Sequence, residues 1–200
     1  RPDRYMGNIY RKENDLEKAL ASYQKANNMI EDKESQLYRN GLLMQGHVYT
    51  FKGEYDEGRE KYYEGRSGAM KNQDYQWSMA FTNYIAQGYL YQKDFASAIS
   101  VLSEMQQTVE SFEESELQKI NRKNFLEFFK FIAFGHSQKP EETLASISRI
   151  KELNGQATQI RLSSKDLNEQ QKERIVLNKN TDNLSFDVWY NILFGNYDAA

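Results

Sequence analysis

The chain has 200 residues, 28% of them charged, with a net charge of −3 and no cysteine. That composition excludes disulfides, thiolate metal sites and cysteine nucleophiles, and it offers no basic excess for nucleic acid or an acidic membrane surface. Its longest apolar stretches fall far short of a membrane span, and proline occurs only at Pro2 and Pro140, so long helices meet little interruption.

The first segment reads as two helices. Residues 3–12 carry Tyr5, Met6, Ile9 and Tyr10 near helical spacing, and a polar turn, Lys12 to Asp15, follows. Residues 15–31 place Leu16, Ala19, Leu20, Tyr23 and Ala26 on one stripe. The next segment has the same plan, with helices expected over 33–51 and 55–71 and a break at Gly53. A third pair is expected over 75–91 and 95–110, with Asp94 as N-cap of the second member.

These pairs share one pattern. Gly7, Tyr10, Leu16, Ala19, Tyr23 and Ala26 recur as Gly46, Tyr49, Tyr55, Gly58, Tyr62 and Gly65, and again as Ala86, Tyr89, Phe95, Ala98, Leu102 and Met105. Self-similarity at about forty residues is the mark of a helical repeat array. The small residues have a steric reason, because antiparallel helices approach closely only where side chains are short. Gly7, Gly46 and Ala86 are therefore expected to face Ala19, Gly58 and Ala98.

The later chain is less regular. Residues 117–136 form a strongly apolar helix, read as core from Phe125 to Phe134, and Gly135 and Pro140 bracket its end. Its partner is expected over 141–153, terminated by Asn154 and Gly155. Ser163 and Asp166 suggest a cap for a polar helix reaching about Leu177, then a loop over 178–183 and a last apolar helix over 186–194. Gly195, Tyr197 and Ala200 repeat the spacing of Gly53, Tyr55 and Gly58, as a truncated fifth unit would. The organisation expected is three hairpins over 1–112, a degenerate fourth over 113–155, and C-terminal helices over 156–200. The chain begins at Arg1 rather than Met, so a trimmed N-terminus or a piece of a longer protein is expected.

The pattern resembles the tetratricopeptide repeat (TPR), carried most clearly by Gly7-Tyr10-Ala19-Tyr23-Ala26 and Gly46-Tyr49-Gly53-Tyr55-Tyr62. The repeats here exceed that family's usual length of about 34 residues. The resemblance implies an all-α fold, a right-handed α-α superhelix in which the first helix of each hairpin lines a concave groove. It implies a peptide- or partner-binding groove at Arg4, Tyr5, Asn8 and Arg11, then Met44, His47 and Phe51, then Asn83, Tyr84, Gln87 and Tyr91. The amides can offer a donor and an acceptor to a peptide backbone, and the aromatics supply rigid apolar area. Arg4 and Asn8 match part of the family's clamp for chaperone tails. Met44, Ala80 and Tyr84 depart from it, so that ligand is not expected.

No catalytic constellation is present. His47 and His136 lie in no metal-spaced pair, no serine occupies a GxSxG turn, and Glu113, Glu114 and Glu116 read as a solvated connection. The function expected is a protein- or peptide-binding scaffold without catalysis, cofactor, metal, direct nucleic-acid contact or membrane span. The alternative is a sensory or regulatory segment of a larger signalling protein, such as a kinase or transcription regulator. A homodimer through the ends of the array is also allowed, and the compartment stays open, with the cytoplasm favoured.

Overall fold

The computed structural model describes residues 2–195. Among them run α1 (Pro2–Lys12), α2 (Leu16–Asn28), α3 (Gln36–Lys52), α4 (Tyr55–Lys71), α5 (Tyr75–Tyr91), α6 (Phe95–Thr108), a 3-10 turn (Val109–Ser111), α7 (Glu116–His136), α8 (Pro140–Leu162) and α9 (Glu169–Leu193), with no strand. Two compact units divide the chain at Val101 and Leu102, inside α6. Arg1, Tyr197 and Ala200 lie outside the described residues.

One connector is used five times. Asn14, Gly53, Gln73, Lys93 and Gln138 all have left-handed backbone, with φ between 53° and 82°. At each, the following N–H reaches back five residues: Asp15 to Tyr10, Glu54 to Tyr49, Asp74 to Ala69, Asp94 to Tyr89 and Lys139 to Phe134, at 2.8–3.1 Å. This is the Schellman closure of a helix C-terminus. Asp15, Asp74 and Asp94 then accept the N–H of Lys18, Trp77 and Ser97, so one residue ends a helix turn and caps the next helix. The expected Asp94 cap is thus observed.

In the first unit, Ala19, Leu20, Tyr23 and Val48 form one core cluster, and Tyr62, Ala69, Phe81, Ile85 and Val101 form another. The glycines act at their junctions. A Cβ on Gly58 would lie 3.1 Å from the carbonyl oxygen of Gly46, the close approach expected of that pair. Gly46 also gives way to the Tyr62 ring, and Gly7 to the Tyr23 ring, where a Cβ would come within 2.6 Å. The ring in each notch therefore comes from the second helix of the hairpin. Buried Arg39 ties this unit across its helices, donating to Asp74 at 2.8 Å and to the Glu34 carbonyl at 2.5 Å.

In the second unit α7, α8 and α9 pack through Ile120, Leu153 and Ala157, and through Phe131, Ile147 and Ile150 against Phe186, Tyr190 and Leu193. Four expectations are corrected here. Gly155 does not end α8, which continues to Leu162 because Ala157 and Ile160 still pack on Ile120 and Leu117. The segment 178–183 is not a loop. It lies inside α9, where Asn183 bonds Asn154 and Lys151 reaches Asp187. The cap of α9 is Asn168 with Gln171 in a capping box, not Ser163 with Asp166. Nor is α7 core throughout: Phe131 is buried, but Phe125 and Phe128 are 40% and 39% exposed.

Two stability tests follow from the backbone. Lys93→Gly and Gln73→Gly, at exposed left-handed positions, should each stabilise by roughly 0.5–1 kcal/mol, because a Cβ is disfavoured there. An unchanged or lowered urea midpoint would contradict this. Gly155→Ala should stabilise by about 0.5–1 kcal/mol, since nothing lies within 4 Å of its Cβ, whereas Gly46→Ala should destabilise by about 1–3 kcal/mol. Denaturation curves giving both substitutions the same sign would refute the notch assignment.

Candidate functional site

The notch residue in each repeat is followed by a polar one, giving Gly7-Asn8, Gly46-His47 and Ala86-Gln87. Geometry explains the pairing. A tyrosine laid across the glycine projects its hydroxyl past the notch. Tyr23 donates to Asn8 Oδ1 at 2.7 Å, and Tyr62 Oη lies 2.9 Å from His47 Nδ1. Thr50 donates to the Gly46 carbonyl at 2.9 Å and sits 3.3 Å from the same Tyr62 hydroxyl. The third copy carries Leu102 in place of the tyrosine. Gln87 accordingly makes no hydrogen bond among the described residues.

Several of the expected groove residues meet across α1, α3 and α5. His47 stands edge-on to Tyr84, with ring centroids 4.6 Å apart, and Tyr84 stacks on Tyr62 at 5.4 Å. Arg11 lies near enough to Tyr23 and His47 to act on both electrostatically. Met44 packs against the cluster of Ala19, Tyr23 and Val48. Others are held elsewhere. Arg4 donates to the Leu37 carbonyl at 2.6 Å, fastening α1 to α3. Tyr5 and Phe51 are exposed, and Tyr91 is exposed beside Tyr55 at 5.8 Å. Arg11 Nε and Asn83 Oδ1 are shielded from solvent and have no hydrogen-bond partner among the described residues.

The His47 ring sets the electrostatics of this face. Burial lowers its pKa to about 4, and the Arg11 charge pushes the same way. Burial also pushes the Tyr62 and Tyr23 hydroxyls up, so both stay protonated. An unfolded chain binds a proton at His47 near pH 6.5, and the folded chain resists it until about 4. Between those values the unfolded state holds more protons, so stability falls as pH drops from 6.5 towards 4. The loss attributable to His47 should approach roughly 3 kcal/mol. Comparing urea midpoints at pH 7.5 and 4.5 for wild type and His47→Gln isolates it, because the carboxylates are common to both chains. Equal pH slopes would show that His47 titrates normally.

A second candidate was not foreseen in the sequence. In the second unit a cleft of about 380 Å³ opens between α7 and α9 over α8. Its walls repeat one stripe: Asn121, Asn124, Phe125 and Phe128 from α7, and Asp182, Ser185, Phe186 and Trp189 from α9, with Asn154 of α8 also lining it. The spacing i, i+3, i+4, i+7 was the available signal, but a buried helix face carries the same one. Among the described residues no cluster of side chains suits a metal ion, and no helix is long and apolar enough to cross a membrane.

No protein-family model matches the sequence, and no curated protein matches it. Solved structures do. BtubC (BKLC) from P. vanneervenii is 16% identical over 97% of this chain and 72% of its own, with a TM-score of 0.56. A kinesin light chain protein of TPR-like repeats from Podosopora anserina is 11% identical over 100% of this chain and 96% of its own, with a TM-score of 0.50. A singly substituted form of that protein gives 0.51. At such identities the likeness establishes the fold: this chain is an all-α protein of TPR-like helical repeats.

Proposed function

We propose that the protein is a non-catalytic scaffold whose α1, α3 and α5 bind an extended peptide or partner segment. The observation that supports this most is the contrast between bonded and unbonded polar groups on those helices. Asn8, His47, Tyr23 and Tyr62 bond one another and hold the face in one geometry. Arg11 Nε and Asn83 Oδ1 are shielded yet unbonded among the described residues, and Tyr84 and Gln87, on the same helix as Asn83, are half-buried. Buried polar atoms are normally satisfied, so unbonded ones on a rigid face favour a ligand that supplies their partners. Exposed Tyr5, Phe51 and Tyr91 add the amphipathic area on which interfaces draw.

The test uses ligands selected from a displayed random-peptide library on the intact chain. Asn83→Ala combined with Gln87→Ala removes two side chains that form no hydrogen bond among the described residues, so helicity and Tm should be unchanged. Affinity for the selected peptides should fall by about tenfold or more, the cost of one or two lost hydrogen bonds. Unaltered titration curves would reject this face as the binding site.

A further inference from the structure

The cleft of the second unit differs from the first face in its charge and in how its amides are connected. Asn124 Nδ2 donates to Asn154 Oδ1 at 2.6 Å, and Asn154 Nδ2 donates to Asn183 Oδ1 at 2.8 Å. This three-amide chain crosses from α7 through α8 to α9. Among the described residues it leaves a carbonyl unbonded at the Asn124 end and an NH₂ at the Asn183 end. Flipping all three amides only exchanges the ends. Asn124 and Asn154 line the cleft and Asn183 does not, so the free amide group at the Asn124 end is the one placed to bond an extended backbone.

Among the described residues, Asp182 is the only charged one lining the cleft, is exposed and forms no ion pair; Arg161, outside the lining, donates to the wall residue Asn121 at 3.2 Å. The other nearby carboxylate, Asp187, is neutralised by Lys151 at 2.6 and 2.7 Å. Beside Asp182 stand the partly exposed rings of Phe125 and Phe128 and the 57% exposed Trp189. A purely apolar occupant would cover the rings but strip water from an unpaired carboxylate. An arginine or lysine side chain satisfies both, with its methylene stem on the rings and its cation at Asp182.

We infer that this cleft is a second binding site, taking a basic side chain of an extended peptide, with the Asn124 amide meeting the peptide backbone. The inference rests on the reading of the protein as a peptide-binding scaffold, and it adds a site in the other unit and the charge of the residue that site accepts. The test titrates the ¹⁵N-labelled intact chain with acetyl-Ala-Ala-Arg-Ala-Ala-amide and with the same peptide carrying Glu or norleucine at the centre. The arginine peptide should shift the Trp189 indole and Asn124 side-chain signals saturably, at least about fivefold more tightly than the other two. Asp182→Asn, at an exposed position, should remove that preference, while Asn83→Ala with Gln87→Ala should leave it intact. No saturable shift at Trp189, equal affinity for the three peptides, or a preference that survives Asp182→Asn would overturn the inference. Shifts confined to signals of α1, α3 and α5 would also reject it, while leaving the first face standing.

Discussion

The first unit depends on a ring of one helix lying directly on the backbone of another where glycine leaves no Cβ. Tyr23 occupies this position over Gly7, Tyr62 over Gly46, and Phe81 over Gly65. The contact brings the helices close, and it also fixes where each ring points. Tyr23 and Tyr62 pass their hydroxyls beyond the notch and bond the next residue of the first helix. Packing and polar surface are therefore one arrangement. Adding a methyl group at Gly46 would displace the ring and, with it, the partner of His47.

That coupling divides the polar residues of the face into two kinds. Asn8 and His47 are anchored by the core rings beneath them. Gln87, above a leucine position, is not anchored, and neither is Asn83. A face with some groups locked and a few free loses little side-chain freedom on binding while still presenting unbonded donors and acceptors. His47 belongs to the locked kind. Its burial and the Arg11 charge keep it neutral through the physiological range, so the face does not change charge there.

The fold of the first unit was legible because its determinants are local and periodic. Small residues, aromatics and the Gly53 break recur in register, and the helix limits of α4 and α5 coincide with those expected. The other left-handed turns were less visible, since Gln73, Lys93 and Gln138 carry no conformational signature. Closure of the preceding helix and the cap of the next one impose that geometry on them. Failure began where tertiary contacts override local preference. Gly155 looks like a terminator and the polar stretch 178–183 looks like a loop, yet Ile120 and Leu117 hold the one and Asn154 the other in helix. The cleft was illegible for a related reason: its residues come from segments about sixty residues apart, and each alone resembles a core stripe.

The two units differ because different residues stand where their first helices draw together. In the first unit His47 and Tyr84 close the space between α3 and α5 with rings packed edge-on. In the second, Phe128 and Phe131 meet Phe186 at centroid distances of 6.1 and 5.7 Å, so α7 and α9 touch through rings there. About a turn earlier on α7 no such ring pair bridges them. Asn154 reaches up from α8 instead, bonded to Asn124 on one side and Asn183 on the other. A side chain held by both neighbours acts as a spacer, keeping the helices apart while presenting amides rather than methyl groups. That residue thus supplies the polar floor of the cleft. An apolar side chain of similar size at position 154 would preserve the separation but remove the hydrogen-bonded connection across it.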